Sequence, residues 1–494
     1  MNYSELTVFI LYLVAMLCIG IYFFAKSKGG EKEFFLGNRE MGPWVSALSA
    51  GASDMSAWVL MGLPASIYAF GMGQTWIAIG LAIGYILSWV FLAPRLRRFS
   101  IAANDSITLP QYLTNRFMSK SKALQVICAI IFLFAYAIYA ASSIKACGTL
   151  FNTVLGINAT VAMLIAAAII IGYTFLGGYK AVCWTDFFQG LLMLGALLLA
   201  PIFALVLIQS GGGAGGAGGA DAIVFPANYW NFLSSGKLNW ASFADILSGL
   251  GWGLGYFGMP HIIIRFMAIR SNKDVKKGAV IGIAWNILIL VFSVAAGSIG
   301  RLFLGEIADS SVVFITMVRT IFPAIISGVL LSAILAAAMS TADSQLLVSA
   351  SAFAADVYRP VLRKKASDKE MFWAGRIVVV VIAIVAVIIA ANPSSGTIMD
   401  LVGNAWGVFG AAFGPAILLS VFWKRFTFAG AVAGIVGGAV ADIVWLAAFS
   451  ATGLYEIIPG FAVGLVAAII VTLVNKKQDK AVEALFYRSV TLKD

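Results

Sequence analysis

Three short runs place polar residues inside segments that are otherwise apolar enough to cross a membrane. The first run contains Asp54 between Ser53 and Ser56, shortly after Gly51. A carboxylate at the centre of a membrane helix costs about 2.5–3.5 kcal/mol on insertion scales, and glycine and serine weaken the helix beside it. Irregular backbone at membrane depth is tolerated only where it lines a buried cavity or is covered by protein. We therefore expect a broken helix whose freed carbonyls and carboxylate face a cation.

The second run, residues 249–260, holds five glycines and a proline in twelve residues. This composition disfavours an uninterrupted helix over these residues. Trp252 and Tyr256 lie four residues apart, so both would face one side of any helix formed there. Two interrupted spans, the second and the seventh and so five positions apart in the order of spans, fit the inverted-repeat architecture of secondary transporters. Glycine is also common where membrane helices cross closely, so a packing role is the alternative.

The third run, residues 336–345, combines small alanines with the adjacent hydroxyls of Ser340 and Thr341. Hydroxyl and carbonyl oxygens are the ligands that hard cations prefer. Such hydroxyls are also often bonded back to the preceding helical turn, which is the structural alternative. Asp343 follows on another side of the helix, where it could serve a second cation site or pair with Lys145.

The composition indicates that lipid surrounds most of the chain. Of 494 residues, 61% are hydrophobic and 11% are charged, against about 25% charged in soluble domains. About thirteen apolar runs have the length of a membrane span. They begin near Leu6, Trp44, Trp76, Ala123, Thr160, Trp184, Phe243, Ala279, Val313, Phe372, Ile398, Phe428 and Ile458, and the run near Val313 leaves open a short separate helix at its start.

The distribution of positive charge predicts the topology and argues against nucleic acid as a partner. The formal net charge is +11, but lysine and arginine cluster in every second loop, as they do on the cytoplasmic side of membrane proteins. We therefore expect a multi-pass protein of the cell membrane with its N-terminus outside and its C-terminus in the cytoplasm. No nucleophile–base set or metal cluster that would indicate an enzyme is present in the sequence.

Several motifs together resemble the sodium/solute symporter family, and most closely its sodium/proline symporters. They are LSAGASDMSAWVLMGLP (48–64), WTDFFQG (184–190), GWGLGYFGMPHI (251–262) and AAAMSTADSQLLV (336–348), with the lead-in LGNREMGPW (36–44). The resemblance implies an all-α integral membrane fold of about thirteen helices with two inverted five-helix repeats, the leucine-transporter-like fold. It implies this division: 1–40, the first helix and a cytoplasmic loop; 41–209, the first repeat; 210–240, an extracellular Gly-rich loop; 241–426, the second repeat; 427–494, two C-terminal helices and a cytoplasmic tail.

The resemblance also implies the position of a Na⁺ site and of the residues that tune it. The sodium-binding positions are Ala52, Met55, Ala337, Ser340 and Thr341. Asp54 would shape this site without contacting the ion, and Asp186 would aid sodium coupling. A charge at the membrane interface is the alternative of equal weight for Asp186.

A substrate pocket is implied at positions that the proline symporters use for their substrate. These positions are Tyr139, Trp252, Tyr256 and Pro260. Aromatic faces would contact the methylenes of a small ring. The amides of a broken helix would receive its carboxylate.

Lys145 departs from the family pattern, which has an apolar residue at this position of the fourth span. Its ammonium could pair with an intramembrane acid, namely Asp343, Asp54 or Asp186, and this structural role is the favoured one. It could instead bind a substrate carboxylate, or stand in for a bound cation and so weaken sodium coupling. Lys145 and Asp343 are therefore included among the residues expected to shape coupling.

The leading hypothesis is a secondary active transporter that couples Na⁺ entry to the uptake of L-proline, with no organic cofactor. The alternative is a symporter of another small amino acid or carboxylate, whose coupling is to protons or independent of sodium because of Lys145. A channel would differ from both by its lack of counterflow. The expected partners are the substrate and the lipid bilayer; a monomer is one option among the oligomeric states that the sequence leaves open.

Overall fold

The computed structural model describes residues 3–26, 31–176, 178–213, 223–475 and 479–492. Within these ranges the chain forms helices joined by turns and loops, and one isolated parallel bridge pairs Met41 with Ile269. The α-helices are α1 (Tyr3–Lys26), α2 (Glu31–Leu36), α3 (Pro43–Asp54), α4 (Gly62–Phe70), α5 (Thr75–Leu87), α6 (Ala93–Ala102), α7 (Leu109–Arg116), α8 (Ala123–Leu155), α9 (Ala159–Leu176), α10 (Tyr179–Gln209), α11 (Trp240–Gly251), α12 (Pro260–Ala268), α13 (Asn272–Leu304), α14 (Val313–Ile321), α15 (Ala324–Ser351), α16 (Asp368–Ala391), α17 (Ile398–Phe422), α18 (Phe428–Phe449), α19 (Ile457–Val474) and α20 (Lys480–Thr491).

The described helices account for all of the predicted membrane spans. Ten helical stretches are long and apolar enough to cross a membrane. The interrupted pair α3–α4, the helix α9 and the interrupted pair α11–α12 occupy the places of the remaining predicted spans. A π-helical turn, Ser88–Leu92, joins α5 to α6, so these two helices form one span. The prediction of an all-α membrane fold is confirmed.

One predicted span begins later than the apolar run suggested. The run near Val313 starts with the short separate helix α14, and the span itself is α15, which begins at Ala324. Phe322 and Pro323 between them have extended backbone, with ψ of 145° and 155°. Proline lacks a backbone N–H and disfavours helical geometry in the preceding residue, which separates the two helices.

Each half of the chain opens with an interrupted span. A short 3₁₀ turn, Ala57–Val59, lies between α3 and α4, and a longer one, Trp252–Phe257, lies between α11 and α12. Pro260 is the first residue of α12, a position at which its missing N–H costs no helical hydrogen bond. Counted along the chain after α1, two successive groups of five spans each have the interruption in their first span, which is the arrangement of an inverted repeat.

Glycines let α5 cross the second break with backbone against backbone. A Cβ atom at Gly80 would overlap the carbonyl oxygen of Gly249, and one at Gly84 would overlap that of Gly253. Gly253 in turn faces the carbonyl of Gly80. This close approach between small residues is a common way for membrane helices to associate, because it brings the backbones into van der Waals contact.

Some of the predicted features lie outside the described residues. They include residues 214–222 of the Gly-rich loop, and Lys28, Lys476 and Lys477 of the basic loops. The later part of the predicted loop is described, and the carbonyl of Tyr229 accepts a hydrogen bond from the Met72 amide at 2.7 Å. This contact ties that loop to the end of the span formed by α5 and α6.

We expect Gly84→Ala to lower the thermal unfolding temperature of the purified protein. The added methyl group meets backbone rather than a movable side chain, and overpacking of this kind costs about 1–3 kcal/mol. That loss exceeds the ~1 kcal/mol by which alanine is the better helix former. Gly195→Ala is the matched control, since nothing lies within 4 Å of its Cβ position. Equal unfolding temperatures for the two variants would contradict the backbone contact.

Candidate functional site

Neighbouring side chains cover the break between α3 and α4. The amide N–H of Met55, where the helix ends, still donates to the Gly51 carbonyl at 2.8 Å. The carbonyl of Asp54 accepts the indole N–H of Trp58 at 3.2 Å and the hydroxyl of Tyr139 at 3.3 Å. The broken backbone is therefore shielded by protein, as its depth in a membrane requires.

The side chain of Asp54 connects the two breaks. The hydroxyl of Tyr256, from the second break, donates to Asp54 Oδ2 at 2.5 Å, and both residues are fully buried. Asp54 Oδ1 is also buried, without a hydrogen-bond partner among the described residues. A hydrogen bond in a low-dielectric interior is stronger than one in water, so it fixes the two breaks relative to each other. The remaining oxygen is an acceptor that the described contacts leave unsatisfied.

Aromatic rings surround this junction. Trp252 stacks on Tyr455 with ring centroids 5.1 Å apart and an interplanar angle of 27°, and it lies 6.4 Å from Trp58. Trp406 donates its indole N–H to the Trp252 carbonyl at 2.8 Å and meets Tyr256 edge-on at 5.2 Å. Flat apolar faces of this kind bury large areas against the methylenes of a small ring.

The residues predicted to line a substrate pocket therefore share one region. Tyr139 and Tyr256 both contact Asp54, while Trp252 and Tyr256 both contact Trp406. Pro260 is buried at the start of α12 and sets where that helix begins after the break. The role of Trp406 was not predicted from sequence; its position beside Gly407 on an apolar, glycine-containing span was the available signal.

Oxygen atoms predicted to bind Na⁺ meet between α3 and α15. The hydroxyl of Ser340 donates to the Ala52 carbonyl at 2.8 Å and lies 3.1 Å from the Ala337 carbonyl. Thr341 Oγ1 is buried without a hydrogen-bond partner among the described residues. Met55 is fully buried one turn after Ala52, where α3 ends. Hydroxyl and carbonyl oxygens are hard donors, so this set has the chemistry that a hard cation requires.

Asp186 is fully buried within the protein near the start of α10, and its role in sodium coupling stays a prediction. The hydroxyl of Ser49 donates to its Oδ2 at 2.6 Å, and Arg265 Nη2 lies 3.1 Å from the same oxygen. Arg265 also donates to Ser344 Oγ at 2.5 Å and to the carbonyl of His261 at 2.5 Å. Arg265 was not predicted from the sequence, although a lone arginine in the apolar helix that begins at Pro260 was a signal.

Asp343 adds a second carboxylate to this cluster. Its Oδ1 lies 3.3 Å from the hydroxyl of Ser344, and its Oδ2 is buried with no partner among the described residues. It interacts electrostatically with both Asp186 and Arg265. Two acidic side chains and one basic side chain leave a formal charge of −1, which favours the presence of a further positive charge at this place.

Lys145 does not pair with any of the three acids predicted for it. Its ammonium donates to the carbonyl of Gly396 and lies 3.3 Å from Ser395 Oγ, in the loop before α17. That prediction is wrong because the loop itself reaches the lysine. Gly396 has a φ of 82°, which only glycine adopts easily, and this turn accompanies the hydrogen bond of its carbonyl to the ammonium.

A second cluster of charged side chains lies outside the membrane spans, at the end of the bundle that carries the basic loops. It joins neighbouring segments there. Arg39 is buried and donates to the carbonyl of Ser106 at 2.9 Å, to Asp105 at 2.9 Å and to the carbonyl of Met267. Partial burial alone would raise the pKa of Asp105, but hydrogen bonds and positive charge from Lys32 and Arg39 lower it below its ordinary value. The end of α12 is thereby tied to the turn after α6.

We expect the buried Arg265–Asp186 pair to give non-additive losses of stability. Arg265→Gln leaves a buried carboxylate without its partner, which costs about 3–5 kcal/mol. Asp186→Asn likewise leaves the buried guanidinium without its partner. The double variant removes both charges and is expected to unfold at a higher temperature than Arg265→Gln alone. Lys424→Gln, which breaks the exposed pair with Glu483, is the control and is expected to cost at most ~1 kcal/mol. Additive losses in the double variant would argue against direct coupling.

Comparison with known families identifies the relatives of this arrangement. The profile of the sodium:solute symporter family matches residues 34–438. The osmoregulated proline transporter OpuE of Bacillus subtilis (strain 168) is 44% identical over 96% of this chain and 96% of its own. The sodium/proline symporter of Escherichia coli (strain K12) is 42% identical over 97% of this chain and 95% of its own.

Solved structures resemble the fold at lower sequence identity. A substrate-bound, outward-open Na⁺-coupled sialic acid symporter aligns with a TM-score of 0.80 and 21% identity, over 97% of this chain and 100% of its own. MhsT in complex with L-phenylalanine aligns with a TM-score of 0.55 and 15% identity, over 87% of this chain and 97% of its own. These likenesses support the architecture of two repeats with interrupted first spans.

Proposed function

We propose that this chain, which belongs to the sodium:solute symporter family, couples the flow of Na⁺ into the cell to the uptake of L-proline. The chain is a multi-pass membrane transporter and not an enzyme. Curated relatives named as proline transporters or sodium/proline symporters match it over almost its whole length, which supports proline as the substrate and Na⁺ as the coupling ion.

The observation that carries the proposal is the contact between Ser340 and Ala52. It joins the first break to α15, which belongs to the other half of the chain. An ion that binds the carbonyls of Ala52, Met55 and Ala337 together with the hydroxyls of Ser340 and Thr341 would strengthen this link. Na⁺ binding would then favour the conformation in which the two halves meet here. Coupling follows because a ligand stabilises the state for which it has the higher affinity, and the effect of each ligand on the other is reciprocal.

Proline would bind at the aromatic junction beside this ion site. Its ring would lie against Trp252 and the neighbouring tyrosines Tyr139 and Tyr256, while amides freed at a break would receive its carboxylate. Asp54 touches both tyrosines and the backbone of the first break. A change in the ion site would therefore reach both tyrosines through one residue, which is the role we assign to Asp54: its main-chain carbonyl binds Tyr139 and its carboxyl group binds Tyr256.

Sidedness and domain division complete the proposal. We assign the basic ends of the spans to the cytoplasm, with the N-terminus outside and the C-terminus inside. The transport core consists of the repeats 41–209 and 241–426, with residues 1–40 preceding it, the loop 210–240 joining its halves and residues 427–494 following it. Asp186, Arg265 and Asp343 then lie on the cytoplasmic side of the break, where they would receive Na⁺ as it leaves.

We expect Thr341→Ala to weaken Na⁺ activation of proline uptake in proteoliposomes about tenfold, which corresponds to ~1.4 kcal/mol. The variant removes one hydroxyl that has no protein partner among the described residues, so folding is expected to change little. Ser332→Ala is the matched control on the same helix, because its hydroxyl bonds back to the Gly328 carbonyl at 2.8 Å. The measurement is radiolabelled L-proline uptake against Na⁺ concentration, with external proline counterflow to distinguish a carrier from a channel. If the unmodified protein takes up proline independently of Na⁺, the proposed sodium coupling is wrong. If it takes up no proline, the proposed substrate is wrong.

The alternative function, a symporter with altered coupling, depended on Lys145. Because Lys145 binds the loop before α17 rather than an intramembrane acid, we expect Lys145→Met to retain Na⁺-dependent uptake with an unchanged Na⁺ requirement. Its maximal rate is expected to fall, since the loop loses its anchor. The same titration of uptake with Na⁺ checks this, and proline transport that becomes newly dependent on Na⁺ in the variant would favour the alternative.

A further inference from the structure

A buried carboxyl group on α18 has no role in the transport site described above. Asp442 is 0% exposed, and both of its oxygens lack a hydrogen-bond partner among the described residues. No lysine or arginine in the described ranges forms an ion pair with it. An ionised carboxylate in such surroundings is strongly disfavoured, and a buried group of this kind becomes neutral when no counter-charge is available.

A second acid faces the same small space. Glu456, which precedes α19, is 7% exposed. The point that a Cβ of Gly407 would occupy lies 2.8 Å from Asp442 Oδ1 and 3.3 Å from Glu456 Cγ. Gly407, on α17, thus leaves room for both side chains between α17, α18 and α19. Two acids in one apolar gap cannot both hold a negative charge without a large repulsion.

The other titratable groups around the pair add no positive charge. Asp400 acts on Glu456, and Tyr455 interacts electrostatically with both acids and with Tyr139. Lys145 interacts with Asp400 and not with the pair. Within the described residues, no group of three or more His, Cys, Asp or Glu side chains is placed to hold a metal ion. These surroundings favour a proton over a metal ion as the positive charge.

We propose that Asp442 is a proton-binding site, held as the neutral acid and exchanging its proton with the solution through Glu456. The exchange is a simple acid–base step, in which a carboxylate oxygen of Asp442 takes up one proton and releases it again. Glu456 immediately precedes α19, at the end of that helix opposite its basic loop, and we assign this end to the outside. The external solution is therefore the source of the proton.

The site is linked to the aromatic junction by one helical turn. Gly407 lies four residues after Gly403, whose carbonyl accepts the hydroxyl of Tyr455 at 2.7 Å. Tyr455 stacks on Trp252, a residue of the proposed substrate pocket. Loss of the proton at high external pH puts a charge against the Gly407 backbone and loosens the packing of α17 on α18 and α19. Transport then falls as pH rises; this last step, unlike the proton site, rests on the proposed function.

The direct test is the infrared spectrum of the purified protein at neutral pH, in which a protonated carboxyl group has its own C=O stretching band. The difference spectrum between the unmodified protein and Asp442→Asn is expected to contain this band. Asp400→Asn, which alters an exposed acid that caps α17, is expected to leave the band unchanged. A carboxylate signal in place of the band, or a signal that shifts when Na⁺ is added, would overturn the proposal and indicate an ionised or metal-bound Asp442. The spectrum requires no transport, so its outcome is independent of the proposed function.

A second measurement follows stability and uptake as the pH is raised. The unfolding temperature of the unmodified protein is expected to fall as the pH rises above the ordinary carboxyl range, because the unfolded chain has released the Asp442 proton that the folded protein retains. The fall levels off once the folded protein also releases this proton, and that of Asp442→Asn is expected to be smaller. Proline uptake is expected to show the same difference when only the external pH is changed. Parallel pH profiles of unfolding for the two proteins would contradict the site. If stability differs as expected but uptake does not, the proton site stands and its link to the pocket fails.

Discussion

The hydrogen bond from Tyr256 to Asp54 is the contact on which the centre of the molecule depends. It joins two places where a membrane helix is broken, and each break on its own would leave backbone groups without partners in an apolar interior. The same aspartate supplies the carbonyl that accepts Trp58 and Tyr139. One residue therefore satisfies part of the first break with its backbone and orients the second break with its side chain.

The buried charged side chains of the interior carry more negative than positive charge. Arg265 neutralises Asp186 through a buried pair, yet Asp343 lies beside them with one oxygen unsatisfied, and Asp54 is buried without a basic partner among the described residues. A protein that only needed stability would do better with apolar side chains here, since buried ion pairs rarely add net stability. The surplus of negative charge is what a path for small cations requires, because it lowers the cost of taking each ion out of water.

Local composition predicted the breaks, whereas tertiary contacts decided the partners of the buried charges. The glycines and proline of residues 249–260 and the polar run around Asp54 disfavour regular helix by themselves, so both interruptions could be read from the sequence. The partner of Lys145 could not, because it depends on a loop some 250 residues away folding back over α8. Arg265 was overlooked for a similar reason: only the packing of α12 against α3, α10 and α15 brings Ser49, Asp186 and Ser344 to it. The positions predicted to bind sodium came from resemblance to a family, and the contact of Ser340 with Ala52 agrees with that grouping.

The missing side chain of Gly255 has a mechanical consequence. The indole of Trp406 occupies the space that a Cβ at this position would fill, and its N–H holds the carbonyl of Trp252. The turn between α11 and α12 is thus held against α17 by close packing as well as by a hydrogen bond. Neither element can slide along the other unless the indole first withdraws, so both are constrained to move as one rigid body. We therefore expect the proposed pocket to open on its opposite wall, where Tyr139 and the first break meet Asp54.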